Sequence, residues 1–297
     1  MSKMRSFRPE IEALLAPANR LGECPIWCNR SRMLWWVDVL EPALWSFDPA
    51  TNACRRHAVG ARRIGSIALR EQGGLVLACD SGLYAYDPDT GSRKFLVDPE
   101  PGIIGHRKND GRADPWGNFW IGTLEEDRYR PVGKLYRVTP DLSVTVEAEA
   151  LAIPNSLAFD KDRGRIYFAD TRAYTIWTAP CALSGARAGQ KSIFATTAAP
   201  ARPDGSCVDA EGCLWNAEYE GSRVVRYAPS GAILATIELP VSHPTCCCFG
   251  GVMLDRLFVT SAIEPLDESQ RADEPLAGRV LVLDPGVRGR PEYRVGL

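Results

Sequence analysis

The sequence predicts an all-β fold, a six-bladed β-propeller, from three observations. Apolar, β-rich runs recur six times; a second strand-like run ending at or near proline follows most of them; and long helical periodicity is absent. The first runs are MLWWVDV (33–39), GLVLACD (74–80), NFWIGTL (118–124), RIYFADT (165–171), CLWNAEY (213–219) and RLFVTSA (256–262). Their anchors Trp36, Val76, Trp120, Tyr167, Trp215 and Phe258 lie 40, 44, 47, 48 and 43 residues apart. A period of roughly 40–50 residues built from strands is what four-stranded blades produce. A parallel α/β fold would need helices of about 10–15 residues between strands, and a two-sheet sandwich predicts no period.

Taken in order, the N-terminal EIEALLAP (10–17) has apolar spacing for one or two helical turns at most. The N-terminal segment is expected to give a strand to the last blade, which closes the ring and removes its exposed edges. Residues 1–297 are thus read as one propeller domain. The second runs are ALWSFDP (43–49), GLYAYDP (82–88), KLYRVTP (134–140), TIWTAP (175–180), RVVRYAP (223–229) and RVLVLDP (279–285). Several continue into turn chemistry such as DPDTG and APSG, where Asp and Gly accept the backbone angles of a tight reversal. DPDTGSRKF (87–95) and DKDRGRIYF (160–168) begin like calcium loops, but glycine falls at the fifth position rather than the sixth and no helices flank them. Both are read as hairpin turns.

Hydrophobic residues make up 45% and charged residues 24%, a balance that permits a sizeable core. The net charge of -2, from 35 basic and 37 acidic side chains, argues against nucleic acid or an anionic membrane as partner. No apolar run approaches the ~18 residues of a membrane helix. The basic N-terminus carries Glu12 inside a short apolar stretch, which does not make a signal-peptide core; a cytoplasmic protein is expected. Ten scattered cysteines in such a chain are read as reduced thiols. Cys246, Cys247 and Cys248 lie near His243, but a strand sends alternate side chains to opposite faces. They are therefore read as small buried apolar residues rather than a zinc site.

The catalytic motifs narrow quickly. There is no Gly-x-Ser-x-Gly, P-loop, Gly-x-Gly-x-x-Gly or His-Glu-x-x-His, and the histidines are His57, His106 and His243 alone. What remains is a set of polar segments beside strands: RLGECPIW (20–27), GHRKNDGRADPWGNFWIGT (105–123), AIPNSLAFD (152–160) and ARPDGSCVDAEGCLW (201–215). They are read as turns that enter the innermost strands at one mouth of the channel. Glu23, Asn109, Asn155 and Asp204 would then converge from four blades. Two carboxylates and amide oxygens suit a hard divalent cation, with water filling the open positions. The same residues are ordinary turn formers, and spacing leaves both readings open.

At these segments the sequence resembles the SMP-30/gluconolactonase/LRE family, which includes regucalcin and bacterial sugar lactonases. The resemblance covers nearly the whole chain. It rests on LGECPIW, RKNDGRADPWGNFWIGT, IPNSLAFD, RPDGSCVDAEGCLWNAEYEGSRVVRYAPSG and PTCCCFGG. It implies a six-bladed propeller with one divalent metal ion in the channel, held by Glu23, Asn155 and Asp204. Calcium or zinc is expected, with manganese and magnesium as further candidates. Arg107 and Asn109 match positions that hold substrate oxygens. A further family carboxylate follows Gly-Thr; counting from Asn109 favours Asp127 over Glu126, where regucalcin-like members have Glu. Cys24 stands where glycine or serine is more usual, with Glu23 retained. Asp110 and Asp114 are read as bracing residues.

The implied reaction is hydrolysis of a sugar-acid lactone such as a glucono-, arabinono-, xylono- or galactonolactone. Without a Ser or Cys paired to His, water is the expected nucleophile and Asp204 the expected base. The alternatives are a non-catalytic calcium-binding regulatory protein and a metal-dependent hydrolase of another ester. A small sugar lactone is the expected partner of a monomer or weak homodimer.

Overall fold

Six sheets follow one another along the chain, and apart from Arg5–Ser6 and Ile11–Ala13, which add to the outer edges of the fifth and sixth, each begins with its innermost strand. The computed structural model describes residues 5–6, 9–181 and 190–297. The innermost strands are Gly22–Cys28, Ile64–Arg70, His106–Ala113, Pro154–Asp160, Arg202–Val208 and Pro244–Gly250, one for each of blades 1 to 6. They pack side by side around the ring, and blade 6 closes against blade 1. The six apolar runs form the second strands, from Met33–Asp38 to Arg256–Ser261, and the Pro-terminated runs form the third. The two calcium-loop look-alikes are hairpin turns, joining Gly82–Tyr86 to Arg93–Val97 and Pro154–Asp160 to Arg165–Asp170.

Each gap between neighbouring blades holds one apolar cluster, six in all. This explains why the second strands read as continuous apolar runs. Along Met33–Asp38, Leu34 and Trp36 face blade 6, while Trp35 and Val37 face blade 2. Successive side chains leave a strand on opposite faces, and here both faces are buried. Trp36, Trp120 and Trp215 are among the largest fully buried side chains, each worth about 1.5–3 kcal/mol or more of apolar burial.

Residues 10–17, whose spacing allows one or two helical turns at most, form no helix. Ile11–Ala13 is a strand, antiparallel to Leu281–Leu283 at the outer edge of blade 6. The open ladder of that edge strand supplies backbone partners that a short isolated helix lacks, so tertiary pairing overrides local propensity. A six-residue helix, Glu268–Asp273, lies between the second and third strands of blade 6; Asp267 and Gln270 form a capping box at its start.

The four polar segments also differ from expectation. They are the innermost strands themselves, not turns in front of them. Every innermost strand loses register with its neighbour at one place: between Glu23 and Ile26, Ile64 and Ser66, Lys108 and Gly111, Asn155 and Ala158, Pro203 and Ser206, and Pro244 and Cys247. A bulge bends the strand and re-aims a side chain, and those of blades 1, 3, 4 and 5 carry residues that line one cavity. Polar residues facing a channel break the apolar alternation that would otherwise mark a strand.

Candidate active site

Glu23, Arg107, Asn109, Asp127, Asn155 and Asp204 line one cavity of about 540 Å³. They come from blades 1, 3, 4 and 5, and all but Asp127 lie at or beside a bulge. The Pro-Asp-Gly segment shows why. A Cβ on Gly205 would lie 2.2 Å from Cys246 Sγ, so only glycine lets blade 5 approach blade 6 closely enough to place Asp204. Asn216 Nδ2 donates to the Asp204 carbonyl at 2.9 Å, and Ser156 Oγ donates to that same oxygen at 2.5 Å.

The amides form an oriented chain. Arg107 Nη1 donates to Asn109 Oδ1 at 2.6 Å, Asn109 Nδ2 to Asn155 Oδ1 at 2.8 Å, and Asn155 Nδ2 to Thr171 Oγ1 at 2.8 Å. Thr171 Oγ1 then donates to the Pro203 carbonyl at 2.8 Å, beside Asp204. Blades 3, 4 and 5 are thereby tied together at the cavity. Asn155 Oδ1 uses one lone pair for Asn109 and keeps a second.

Of the seven buried side-chain polar atoms without a hydrogen bond among the described residues, two belong to the cavity lining. Asp204 Oδ1 and Arg107 Nε are buried without a hydrogen bond among the described residues. Unmatched buried polar atoms are costly, so their retention points to a ligand. Burial, then Glu23 and Asp110, push the Asp204 carboxyl well above the usual range. Burial, then Asp110, raise Glu23 to about 8. Burial also raises Asp110, whose Oδ2 accepts the Leu157 N–H at 2.8 Å. These carboxylates are crowded in a way that a bound cation would relieve.

The donor set fits a hard cation: two carboxylates and an amide oxygen, with Asp204 Oδ1 free to ligate. Among the described residues no three His, Cys, Asp or Glu side chains are grouped so as to hold a metal. A cation here therefore depends on Asn155 and water as well as on Glu23 and Asp204.

Other sequence candidates separate. Asp127 is exposed at the cavity, whereas Glu126 Oε1 accepts from Arg63 Nε at 2.6 Å and lies 3.8 Å from Arg107 Nε. Asp114 braces its turn, accepting from the N–H groups of Trp116 and Asn118 and from Trp120 Nε1. Cys247 and Cys248 enter the clusters on opposite faces of blade 6, and all ten cysteines are free. Thr171, Arg63, Tyr129, Arg172 and Arg202 also belong to the cavity or its network; Arg202 opens the RPDGS segment, and no motif marks the other four. Thr171 had one signal: it directly follows the Asp170 that caps a short 3-10 turn, Thr171–Ala173.

Residues 21–263 match the SMP-30/gluconolactonase/LRE-like region family. The chain is 37% identical to 6-deoxy-6-sulfogluconolactonase of Pseudomonas putida, over 92% of this chain and 94% of that protein. It is 33% identical to pentonolactonase XacC of Haloferax volcanii, over 93% and 94%. The crystal structure of a calcium-binding protein, regucalcin, from Agrobacterium tumefaciens superposes with a TM-score of 0.93 at 32% identity, covering 98% of this chain and 99% of that one. No helix among the described residues is long and apolar enough to cross a membrane. The chain belongs to the SMP-30/gluconolactonase/LRE-like family.

Proposed function

We propose that the protein is a sugar lactonase that hydrolyses an aldonolactone to its aldonic acid with the help of a divalent cation. The observation that carries the reading is the unpartnered Asp204 Oδ1, buried in a polar cavity beside a second raised carboxyl, Glu23. The sulfogluconolactonase and pentonolactonase relatives support the substrate class. Glu23, Asn155 and Asp204 would hold the cation, and their all-oxygen chemistry favours a hard ion such as calcium.

When bound, a divalent cation supplies Lewis acidity toward a lactone carbonyl. The protein's own residues do the rest. Asp204 is a base only when ionised, and a cation's charge in place of a proton's allows that. It accepts a proton as water oxygen attacks the carbonyl carbon. The ring C–O bond then breaks, and the same proton passes to the departing alkoxide, leaving a hydroxy acid. General-base assistance of this kind contributes about 10²–10⁴-fold. Arg107, with its free Nε, and Asn109 hold the sugar oxygens.

A panel of glucono-, arabinono-, xylono- and galactonolactones tests the reading on metal-stripped protein reloaded with calcium, zinc, manganese or magnesium. Turnover restored by a divalent ion is expected. Binding of the ion without turnover of any lactone would transfer the weight to a calcium-binding regulatory role, which the regucalcin likeness favours.

A further inference from the structure

The cavity carries more positive charge than a neutral sugar needs. Arg20, Arg62, Arg63, Arg107, Arg172 and Arg202 line it, against Glu23, Glu126, Asp127, Asp204 and Glu264. Whether Glu23 and Asp204 keep their protons or balance a divalent cation, six guanidinium groups then face three carboxylates. One of those three, Glu126, is already taken by Arg63.

The excess is organised along one wall. Arg172 sits in the 3-10 turn of blade 4, with its guanidinium 5.7 Å from the centre of the Tyr129 ring of blade 3. Among the described residues it has no carboxylate within ion-pairing distance. Two residues on, Tyr174 is the platform for Arg202, whose guanidinium lies 6.0 Å from its ring centre and whose Nε donates to its hydroxyl at 3.3 Å. Arg202 is paired with Glu220 at 3.1 Å. Arg172 is thus oriented by an aromatic face but not neutralised. A guanidinium stacked in this way keeps its planar edge of N–H donors free, the geometry that binds tetrahedral oxyanions in bidentate fashion. On the opposite side of the ring Arg20 also has no ion pair among the described residues, and Arg62, with its side chain exposed, meets Asp80 only at 3.4 Å. These charges add to the field that draws an anion to the mouth.

We propose that the substrate is an aldonolactone with a sulfonate or phosphate at the end of the sugar away from the lactone carbonyl, and that Arg172, aided by Arg202, binds this oxyanion. The proposal rests on the lactonase reading for its chemistry and on the arginine wall for its charge.

The test compares kcat/KM for 6-phosphogluconolactone, 6-deoxy-6-sulfogluconolactone and gluconolactone on calcium-loaded protein. Calorimetry of 6-phosphogluconate and gluconate gives a binding readout that needs no turnover. An anionic lactone is expected to be preferred by at least about tenfold, the scale of one charge-assisted hydrogen bond. Arg172→Gln is expected to lower that ratio about tenfold, and Arg172→Lys by less, since it keeps the charge and loses the fork. Arg202→Gln is expected to lower it in the same direction, as is higher salt. Preference for either oxyanion supports the site and names its source. Gluconolactone turned over as well as the anionic lactones, with gluconate bound as tightly as 6-phosphogluconate, overturns the proposal and leaves the lactonase reading standing. No turnover of any lactone, with 6-phosphogluconate still preferred over gluconate and the preference lost in Arg172→Gln, keeps the anion site and removes the lactonase reading. A ratio that Arg172→Gln leaves unchanged overturns the assignment of Arg172.

Discussion

Asn109 Nδ2 donates to Asn155 Oδ1 across 2.8 Å, so an amide of blade 3 sets which way an amide of blade 4 faces the cavity. The bond commits one lone pair of Asn155 and, through Asn155 Nδ2 and Thr171, fixes the other end of the amide. Asn109→Ala is therefore expected to act at a distance from the substrate as well as on it. It should weaken cation affinity, by about tenfold or more on the pattern of lost supporting contacts at metal sites. Asn155→Ala should weaken it further. Calorimetric titration of calcium into both variants checks the order. Equal affinity in Asn109→Ala and the parent would separate Asn109 from the cation site.

Asp204→Asn keeps the size of the side chain and removes a charge and the base. At saturating cation, turnover is expected to fall by about 10²–10⁴. The metal-free variant should be more thermally stable than the parent, because burial and the neighbouring Glu23 and Asp110 already disfavour an ionised Asp204. Steady-state kinetics and melting with chelator measure the two effects. Near-normal turnover would remove Asp204 as the base.

The same crowding gives a pH dependence with a defined sign. In metal-free protein Glu23 is raised from 4.5 to about 8, and Asp204 moves in the same direction. Between about pH 4.5 and 8 the folded state holds protons that the unfolded chain has released. Stability from these groups is full below that window and is lost as pH rises through it. Melting temperature in chelator is expected to fall from about pH 5 to 8, with less slope in Glu23→Gln. Calcium is expected to stabilise more at the alkaline end, because it competes with fewer protons. A chelated protein with the same slope in parent and Glu23→Gln would remove Glu23 from the window.

The frame of the propeller was legible because it repeats. Both strand runs of each blade carried apolar residues at a steady period, and each gap between blades needed them on both faces. The innermost strands were harder to read. Glu23, Asn109, Asn155 and Asp204 sit where bulges interrupt alternation, so their segments looked like turns. Their residue types still pointed to a cation, since acids and amides recurred at comparable places in separate blades. Arg172 and Tyr129 left no trace, because a cation over an aromatic ring is formed by two loops of different blades. Residues 10–17 carry no local strand signal, because their partner, Leu281–Leu283, lies at the other end of the chain.

Asp114 and Asp209 occupy equivalent places in blades 3 and 5, and each accepts a tryptophan Nε1–H from six residues onward at 2.9 Å. They are braces and not part of the cavity lining. Asp209→Ala leaves the Trp215 N–H and Arg226 short of a partner. It should cost about 1–3 kcal/mol or more of stability, read by denaturant unfolding. Calcium affinity of the folded fraction is expected to be retained, and its loss would join this brace to the site.

Arg107 separates holding the substrate from stabilising the transition state. Its Nη1 is committed to Asn109 Oδ1 and the Lys108 carbonyl, while Nε is buried with no hydrogen-bond partner among the described residues. Burial disfavours its charge, so it gains from any anion or carbonyl oxygen that approaches. Arg107→Lys keeps a cation but loses the fork that grips Asn109 and substrate together. If the contact is equal in ground and transition states, KM rises and kcat holds; if it strengthens with the developing oxyanion, kcat falls as well. Because Nη1 is already spent on the protein, the Nε–Nη2 edge is left to hold a hydroxyl or ring oxygen present throughout the reaction. The expected result is therefore a rise in KM that exceeds the fall in kcat, measured across several aldonolactones. A fall confined to kcat would assign Arg107 to the oxyanion instead.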